Sequence, residues 1–337
     1  MKQLSIIVPV YQVERYIRAC MESIFRQGLN DDVFEVIIVN DGTKDRSMEM
    51  IQDIIAMHDN ITVIHQENLS LSVARNNGIA AAQGEYILMP DSDDLLVENS
   101  LKVLLDKALE TKADLVVADF LEMDDEEIAA FQSPVQRPAE FEEKNGERLL
   151  LEDLNPYQCY VWRTLFRRQF LLDLHLSFVP GIRYQDVPFT HECYIKAKRC
   201  LRTHWLLNIY RRGHESATYS FNQTKSRDFM VAIAKTWELT RLEGLSPAVQ
   251  KRLRNDVFTS FSVLIYTISH DIDDRQERKA IIQEMKRRMA NVQFQDGVRQ
   301  KVFTFLFRHM PHTLISTRRF YGKLVEDQLM PFLRSRR

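Results

Sequence analysis

The sequence predicts an α/β fold, in which a doubly wound, mostly parallel sheet is followed by a helical C-terminal region. Strand-like and helix-like segments alternate with short loops over the first 120 residues, which is typical of a parallel sheet. The strand-like segments are rich in β-branched residues, as in strands that are buried on both faces. From about residue 225 onward Gly and Pro are rare, which favours helices.

The elements of the first region follow from their hydrophobic spacing. Helix 14–27 has the apolar residues Ile17, Met21 and Ile24 at helical intervals, and Gly84 suits the position just after helix 72–83. Ligands bind to such sheets at the carboxyl ends of the strands. The predicted strands are 5–10, 34–40, 61–65, 85–89 and 115–120, and the predicted helices are 14–27, 47–58, 72–83 and 99–112.

Composition narrows the functional classes. The chain has 337 residues, 45% of them hydrophobic, and a net charge of −2, which is ordinary for a soluble globular protein and argues against a general nucleic-acid binder. A secretory signal and an apolar run of about 18 residues are both missing, so we expect a cytoplasmic protein. The cysteines lack C-x-x-C spacing and are expected to be reduced: Cys20, Cys159, Cys193 and Cys200.

An acidic cluster follows the strand at 85–89. Asp91, Asp93 and Asp94 lie within four positions, so their negative charges repel one another. This repulsion favours a bound hard divalent cation, which prefers oxygen ligands and often carries substrate phosphates. Asp271 and Asp273 repeat the D-x-D spacing, but they lie between helical segments, where a solvated turn with a helix cap is expected. Only the first cluster is therefore a candidate for a diphosphate site.

Other strand ends carry groups suited to a nucleotide. The chain lacks G-x-G-x-x-G after its first strand and lacks a P-loop, which argues against a dinucleotide oxidoreductase and a P-loop NTPase. Tyr11 is suited to contact a base through its ring or hydroxyl, and Asp41 is suited to accept a hydrogen bond from a base. The alternative is that Asp41-Gly42 is only a turn and that Tyr11 only packs.

Four segments together resemble the family-2 glycosyltransferases of the GT-A fold. They are Ser-Ile-Ile-Val-Pro-Val-Tyr at 5–11, Val-Ile-Ile-Val-Asn-Asp-Gly-Thr at 36–43, Ser-Val-Ala-Arg-Asn-Asn-Gly-Ile at 72–79 and Gly-Glu-Tyr-Ile-Leu-Met-Pro-Asp-Ser-Asp-Asp at 84–94. The resemblance implies an inverting transfer of sugar from a nucleotide diphosphate-sugar, commonly a UDP-sugar, with Mn²⁺ or Mg²⁺ as cofactor.

The resemblance also assigns residues to the donor site. Asp91 supports the turn, and one departure is Ser70, where many relatives have a glycine that tolerates positive φ. The loop conformation at Ser70 is therefore an open question. The donor-binding positions are Pro9, Tyr11, Asp41, Arg75, Asn76, Asp91 and Asp93, and the metal ligands are Asp93 and Asp94.

A catalytic base is expected in the second half of the chain. Residues 181–189 resemble the family's Glu-Asp segment, which makes Asp186 the general base and places Gln185 where glutamate is usual. A carboxylate with an ordinary pKa near ~3.9 is ionised at neutral pH and suffices for this role. The alternative is that Asp186 only caps a helix beginning near Val187-Pro188.

Two further segments match the family pattern. Residues 210–218 resemble a loop that closes over the donor, so Arg212 and His214 are expected to reach the diphosphate. His214 as a plain surface residue is the alternative. In residues 161–170, Trp162 and Arg163 either contact sugar or belong to the core.

These assignments predict a catalytic domain over residues 1–220 and a helical region over 221–337. Residues 1–120 form the nucleotide-sugar-binding half and 121–220 form the acceptor half, in which 121–153 is expected to be a surface loop or a partly ordered insertion. The last segment, 299–337, interleaves Lys and Arg with bulky apolar residues, including helical stretches at 302–307 and 320–333. That composition fits peripheral contact with the inner face of the cell membrane, or helices packed on the protein with a solvated basic face.

The predicted function is sugar transfer to a hydroxyl of a glycan or lipid-linked acceptor in bacterial polysaccharide synthesis. One alternative is a non-catalytic subunit that binds a nucleotide-sugar or serves in assembly, for which Gln185 and Ser70 leave room. A nucleotidyltransferase is a weaker alternative, because residues 11–14, Tyr-Gln-Val-Glu, replace the expected Gly-rich phosphate loop.

Overall fold

The computed structural model describes residues 2–134, 139–213, 222–272, 274–311 and 313. The chain forms two compact units whose segments interleave along the sequence. The predicted domain boundary at residue 220 remains a proposal. Unit 1 comprises Met1–Glu152, Tyr160–Gly181 and Lys196–Arg212, and unit 2 comprises Asp153–Cys159, Ile182–Ile195 and Gly213–Arg337.

Unit 1 is built on one sheet, which has nine strands in the described residues. The order is β3-β2-β1-β4-β8-β6-β9-β5, with β7 beside β9, and β1 to β4 pair in parallel. The predicted α/β fold with a mostly parallel sheet is therefore confirmed. The strands are β1 Leu4–Val10, β2 Phe34–Asn40, β3 Ile61–His65, β4 Tyr86–Leu88, β5 Leu95–Leu96, β6 Leu115–Met123, β7 Glu142–Lys144, β8 Thr164–Arg167 and β9 Cys200–Arg211.

The register of the parallel strands brings their carboxyl ends together. Val10 pairs with Asn40, and Asn40 pairs with His65, so β1, β2 and β3 end at one edge of the sheet. All seven residues of β1 are buried, as expected for a central strand covered on both faces. An antiparallel strand that we had not predicted, β8, lies between β4 and β6.

Helices flank the sheet of unit 1. Met21 of α1 and Leu104 of α4 are fully buried in the core cluster that also contains Ile6 of β1. These contacts remove from water the apolar stripes that predicted the helices. The α-helices of this unit are α1 Ile17–Phe25, α2 Gln52–Met57, α3 Leu71–Ala81, α4 Leu101–Thr111, α5 Asp125–Ala130, α6 Gly146–Arg148 and α7 Arg168–Asp173.

The first predicted helix begins three residues late because its expected first turn is used elsewhere. The backbone N–H of Val13 donates to Ser47 Oγ at 2.9 Å, and that of Glu14 donates to Asp45 Oδ2 at 3.0 Å. The second predicted helix, 47–58, likewise starts late, with a 3₁₀ turn at Glu49–Ile51 before α2. Side chains of the 43–47 loop thus join the ends of β1 and β2.

Segment 121–153, expected to be a surface loop or a partly ordered insertion, contains more regular structure than a loop. Strand β6 extends to Met123, and Asp124 and Glu127 form a reciprocal capping box at the start of α5. Strand β7 then pairs with β9. Short charged elements of this kind lack the apolar periodicity on which the prediction relied.

Unit 2 is helical in its described part, which confirms the predicted helical C-terminal region there. Helix α9 packs against α10 and α11, and Phe261 contacts the rings of Phe294 and Phe303 in a buried aromatic cluster. The predicted helix at 320–333 lies outside the described residues. The helices are α8 Asp186–Lys196, α9 Gln223–Leu239, α10 Pro247–Asp271, α11 Arg275–Arg288 and α12 Val298–His309.

Among the described residues, every helix is too short or too polar to cross a lipid bilayer.

Candidate active site

The end of β1 places Tyr11 at the surface of unit 1. Pro9 is buried within the strand, whereas Tyr11 is 37% exposed. The next residue, Gln12, has a φ of 54°, and its N–H donates to Thr43 Oγ1 at 2.8 Å. The left-handed turn is therefore tied to the loop that follows β2, and it leaves the Tyr11 side chain accessible.

Asp41 is the centre of a hydrogen-bond network rather than a simple turn residue. It is 3% exposed, and its carboxylate accepts hydrogen bonds from Gln66 Nε2 at 2.7 Å and from the N–H groups of Leu69 and Ser70 at 2.8 and 3.1 Å. Charge-assisted bonds of this kind are short and strong. Asp41 thus fixes the 66–70 loop at the edge of the sheet.

Ser70 adopts the conformation that its family position suggested. Its φ is 101° and its ψ is 157°, a region that costs a residue other than glycine about 1–3 kcal/mol. Its hydroxyl lies 2.8 Å from Ser72 Oγ, and both hydroxyls accept from the N–H of Gly181, at 3.2 and 3.0 Å. These contacts hold the serine in a strained conformation.

Arg75 and Asn76 of α3 are committed to partners within unit 1. Arg75 is 2% exposed and forms an ion pair with Asp91, while its guanidinium lies 5.4 Å from the ring centroid of Phe178. Asn76 exchanges two hydrogen bonds with the backbone of Phe178, both at 2.9 Å. The pair with Arg75 ties the carboxylate of Asp91 to α3.

The acidic cluster is compact and contains an unsatisfied buried oxygen. The ligand oxygens of Asp91, Asp93 and Asp94 all lie within 4.8 Å of one another. Asp94 is 2% exposed, and its Oδ1 accepts from the N–H of Arg211 at 2.8 Å. Its Oδ2 is buried and has no partner among the described residues. Burial, followed by the charges of Asp93 and Asp91, holds the pKa of Asp94 well above its usual range.

Arg211, and not Arg212, contacts this cluster. The Arg211 guanidinium donates to the backbone carbonyl of Asp93 at 2.9 Å, pairs with Asp125 and lies 4.8 Å from the ring centroid of Tyr16. Arg212 pairs with Glu127 at 2.8 Å. Arg211 was not predicted because two adjacent arginines lie where β9 ends, and only the sheet register decides which of them faces the cluster.

The donor set fits a hard divalent cation. It consists of carboxylate oxygens, and a buried oxygen without a partner is costly unless a cation or donor satisfies it. Arg75 and Arg211 offset part of the local negative charge, but neither guanidinium donates to Asp94. Asp93 and Asp94 are therefore the residues best placed to hold the ion, with Asp91 engaged by Arg75.

In unit 2, Asp186 is the first residue of α8, where the helix dipole favours a negative charge. The helix that we expected to start near Val187 begins one residue earlier. Gln185 precedes it and is 4% exposed, and its Oε1 is buried with no partner among the described residues. The neighbouring Tyr184 has a φ of 59°.

A buried network that the sequence analysis missed supports the first turn of α8. His191 Nδ1 lies 2.7 Å from the carbonyl oxygen of Val187, and its Nε2 lies 3.1 Å from Asp256 Oδ2. Arg252 also donates to Asp256, at 2.9 Å. Because a carbonyl and a carboxylate both accept, His191 satisfies the two partners when both ring nitrogens carry hydrogen. Nothing in the sequence around His191 signals these contacts.

The remaining candidates differ in outcome. Trp162 is 2% exposed and stacks on Tyr210 with ring centroids 5.8 Å apart, and Arg163 donates to the carbonyl oxygen of Ala118 at 2.8 Å. Trp162 is therefore a core residue, which is the second of the two alternatives predicted for it. His214 lies outside the described residues.

The chain is similar to known glycosyltransferases. Residues 5–171 match the family model described as glycosyl transferase family 2. The chain is 37% identical over 217 residues to the uncharacterized glycosyltransferase EpsJ of Bacillus subtilis, covering 64% of this chain and 62% of EpsJ. It is 29% identical over 298 residues to the glycosyltransferase GlyG of Streptococcus pneumoniae, covering 84% of this chain and 95% of GlyG.

Among solved structures, residues 1–349 of S. aureus TarS in complex with UDP superpose with a TM-score of 0.70. That likeness covers 96% of this chain and 91% of the other, at 20% identity, and it shows the fold. The family match and the fold support glycosyl transfer by a domain of the GT-A type. The chain belongs to the family-2 glycosyltransferases.

Proposed function

We propose that this enzyme transfers a sugar, with inversion, from a UDP-sugar to a hydroxyl of a glycan or lipid-linked acceptor. The observation that carries the proposal is the buried Oδ2 of Asp94, which lacks a partner among the described residues. This oxygen belongs to the cluster of three carboxylates that follows β4. TarS, which shares the fold, has been solved with UDP and with UDP-GlcNAc. These complexes support a uridine donor.

The donor would bind along the strand ends of unit 1. Pro9, Tyr11 and Asp41 would line the nucleoside pocket, since Tyr11 is exposed and Asp41 holds the 66–70 loop. Arg75 and Asn76 would act by fixing Asp91 and the backbone at Phe178.

The diphosphate would lie at the acidic cluster. Asp93 and Asp94 would hold Mn²⁺ or Mg²⁺, and the bound ion would supply positive charge to the leaving diphosphate. Arg212 and His214 remain proposed contacts of the same group. In the described structure, Arg212 is paired with Glu127.

Asp186 would be the general base in this proposal. An acceptor hydroxyl must lose its proton as it attacks the anomeric carbon from the face opposite the leaving group, and an ionised carboxylate accepts that proton. The position at the start of α8 favours the ionised form. Gln185, in place of glutamate, leaves Asp186 as the acidic residue of this pair.

A panel of UDP-sugars tests the proposal. We expect UDP release that requires a divalent cation and an acceptor, with a product of inverted anomeric configuration by NMR. UDP binding without turnover for any donor and acceptor would instead support the non-catalytic alternative. Retention of configuration would contradict the inverting mechanism.

We also propose peripheral contact with the inner face of the cell membrane. Val298, Val302 and Phe305 of α12 are exposed and recur at helical spacing, while Phe303 and Phe307 of the same helix are buried. Flotation with anionic vesicles tests this contact, and Phe305→Glu should reduce recovery relative to the wild type. Equal recovery of both proteins would contradict it.

A further inference from the structure

Gln185 carries a buried hydrogen-bond acceptor directly before the proposed base. The residue is 4% exposed, and its side-chain Oε1 is buried and has no hydrogen-bond partner among the described residues. Such an atom costs free energy, because folding removes its hydrogen bonds to water and returns none. Since almost all buried polar groups in proteins are paired, an exception beside a proposed catalytic group calls for an explanation.

The residues before Gln185 are anchored to α9. Arg183 donates to Asp228 Oδ2 through its backbone N–H at 3.2 Å and through its guanidinium at 3.1 Å. The ring centroids of Tyr184 and Phe229 lie 4.5 Å apart. These contacts fix the backbone on the N-terminal side of Gln185, and all of these residues belong to unit 2.

The backbone that precedes α8 is also strained. Tyr184 has a φ of 59°, in the left-handed region that residues other than glycine rarely adopt. The N–H of Val187 donates to the carbonyl oxygen of Tyr184 at 3.2 Å, which closes a turn around Gln185 and Asp186. Strained residues persist where the surrounding structure determines them, and they cluster at active sites and ligand clamps. The turn therefore holds Gln185 and Asp186 on a fixed backbone.

We propose that Gln185 binds a second hydroxyl of the acceptor, next to the hydroxyl from which Asp186 takes a proton. Consecutive Cα atoms are about 3.8 Å apart, so groups held by the two side chains are close neighbours. Hydroxyls on adjacent carbons of a sugar ring form such a pair. The acceptor would thus be a sugar with two adjacent hydroxyls, and this inference rests on the proposed function for the role of its ligand.

The chemistry of the amide suits a hydroxyl. The carbonyl oxygen of the Gln185 amide accepts hydrogen bonds and its NH₂ donates them, while a hydroxyl does both. The amide is neutral, so it satisfies a hydroxyl without placing a second negative charge beside Asp186. A site that hydrogen-bonds a substrate hydroxyl discriminates strongly against the analogue that lacks it. Gln185 is therefore a specificity-determining residue for the acceptor.

Sugar binding tests this inference without UDP or metal. Methyl pyranosides and their monodeoxy analogues are titrated into the wild-type chain, while NMR follows the side-chain amide of Gln185, assigned by its absence in Gln185→Met. We expect a saturable shift of this signal by at least one pyranoside, and affinity about tenfold or more weaker for one of its deoxy analogues. Backbone amides of α8 report affinity in both proteins, and Gln185→Met should show the same loss.

Two controls separate ligand binding from folding. Gln283→Met, at an exposed glutamine of α11, should bind the pyranoside like the wild type. Gln185→Met keeps the size of the side chain and removes the unsatisfied oxygen, so its Tm should equal or exceed that of the wild type. A clear fall in its Tm would show that the amide has a structural partner. The deoxy analogues test the wild-type chain itself and need no variant.

Turnover distinguishes a failure of this inference from a failure of the proposed function. In the UDP-release assay, Gln185→Met should raise the KM for the acceptor about tenfold or more and leave the KM for the UDP-sugar unchanged. The matching deoxy acceptor should remove the difference between the two proteins, as expected of a direct contact. Sugar binding without turnover would contradict the proposed function alone. A wild-type chain that binds no pyranoside, or binds every deoxy analogue as well as its parent, would overturn the subsite, as would unchanged affinity in Gln185→Met.

Discussion

The acidic cluster of unit 1 and the Asp186 segment of unit 2 are held in place by different means. Asp93 and Asp94 follow a buried strand, and their positions depend on sheet register and on Arg211 of β9. Asp186 begins a helix whose first turn is supported by His191 and, through it, Asp256 of α10. Both regions depend on contacts distant in sequence, but strand register fixes the acidic cluster, whereas helix packing fixes the segment of the proposed base.

The largest expected effect is the loss of turnover when the proposed base of unit 2 is replaced. Asp186→Asn keeps the size of the side chain but removes the proton acceptor, so turnover in a UDP-release assay should fall about 10²–10⁴-fold. Asp271→Asn, in unit 2 but at a carboxylate paired with His270, should keep wild-type turnover. Wild-type turnover in Asp186→Asn would contradict the assignment of the base.

A second prediction concerns Asp94. Asp94→Asn removes a charged group that we propose as a metal ligand, so Mn²⁺ affinity measured by EPR should fall by at least about 10–100-fold, the range for loss of groups that only support a ligand. The metal-free variant should be more stable than the metal-free wild type at neutral pH, because the buried carboxylate and its repulsion with Asp93 are gone.

The raised pKa of Asp94 fixes the sign of a pH effect in the metal-free wild type. Its folded-state pKa is above the unfolded value near ~3.9, so between these two values the folded state binds more protons. Stability should therefore fall as pH rises through this window, and the fall should be smaller in Asp94→Asn. Urea titrations at several pH values measure it, and identical pH profiles would contradict the burial of an uncompensated carboxylate.

His191 tests the long-range support of unit 2. His191→Ala should lower the free energy of unfolding of unit 2 by about 1–3 kcal/mol, because Asp256 and the carbonyl of Val187 lose a donor. His204→Ala, at a side chain that is 90% exposed, should change it by less than about 0.5 kcal/mol. Urea midpoints measure both, and equal midpoints would show that the network does not support α8.

The smallest predicted effect concerns Ser70. Ser70→Gly should raise the free energy of unfolding by about 1 kcal/mol, because glycine accepts a φ of 101° without strain and Ser72 still binds the N–H of Gly181. Ser70→Ala keeps the strain and loses the hydroxyl, so it should lower stability. A stabilising Ser70→Ala would contradict this explanation of the loop.

Sequence alone predicted the part of the fold in which apolar runs and strand-end motifs lie close together. Strand β2 and strand β3 have the predicted bounds, and the three carboxylates cluster as expected. Strand β8 was not predicted, because its place between β4 and β6 is set by pairing with distant residues. The contact of Arg211 with the cluster and the His191 network depend likewise on strand register and helix packing.

Other residues that were predicted to contact the donor instead support neighbouring backbone in the structure. Asp41 and Asn76 were expected to meet the donor, and in the structure their hydrogen bonds hold backbone at Leu69 and Phe178. Their influence on the donor remains a prediction. Local motifs single out such residues but do not separate ligand contacts from supports.

Calorimetric titration of UDP with Mn²⁺ into Asp94→Asn and Asp186→Asn tests the central claim most directly. If unit 1 holds the donor and Asp186 supplies the base, Asp94→Asn should lose most of its UDP affinity, while Asp186→Asn should bind UDP like the wild type. Wild-type affinity in Asp94→Asn, or a loss of affinity confined to Asp186→Asn, would contradict the division of roles between the two regions.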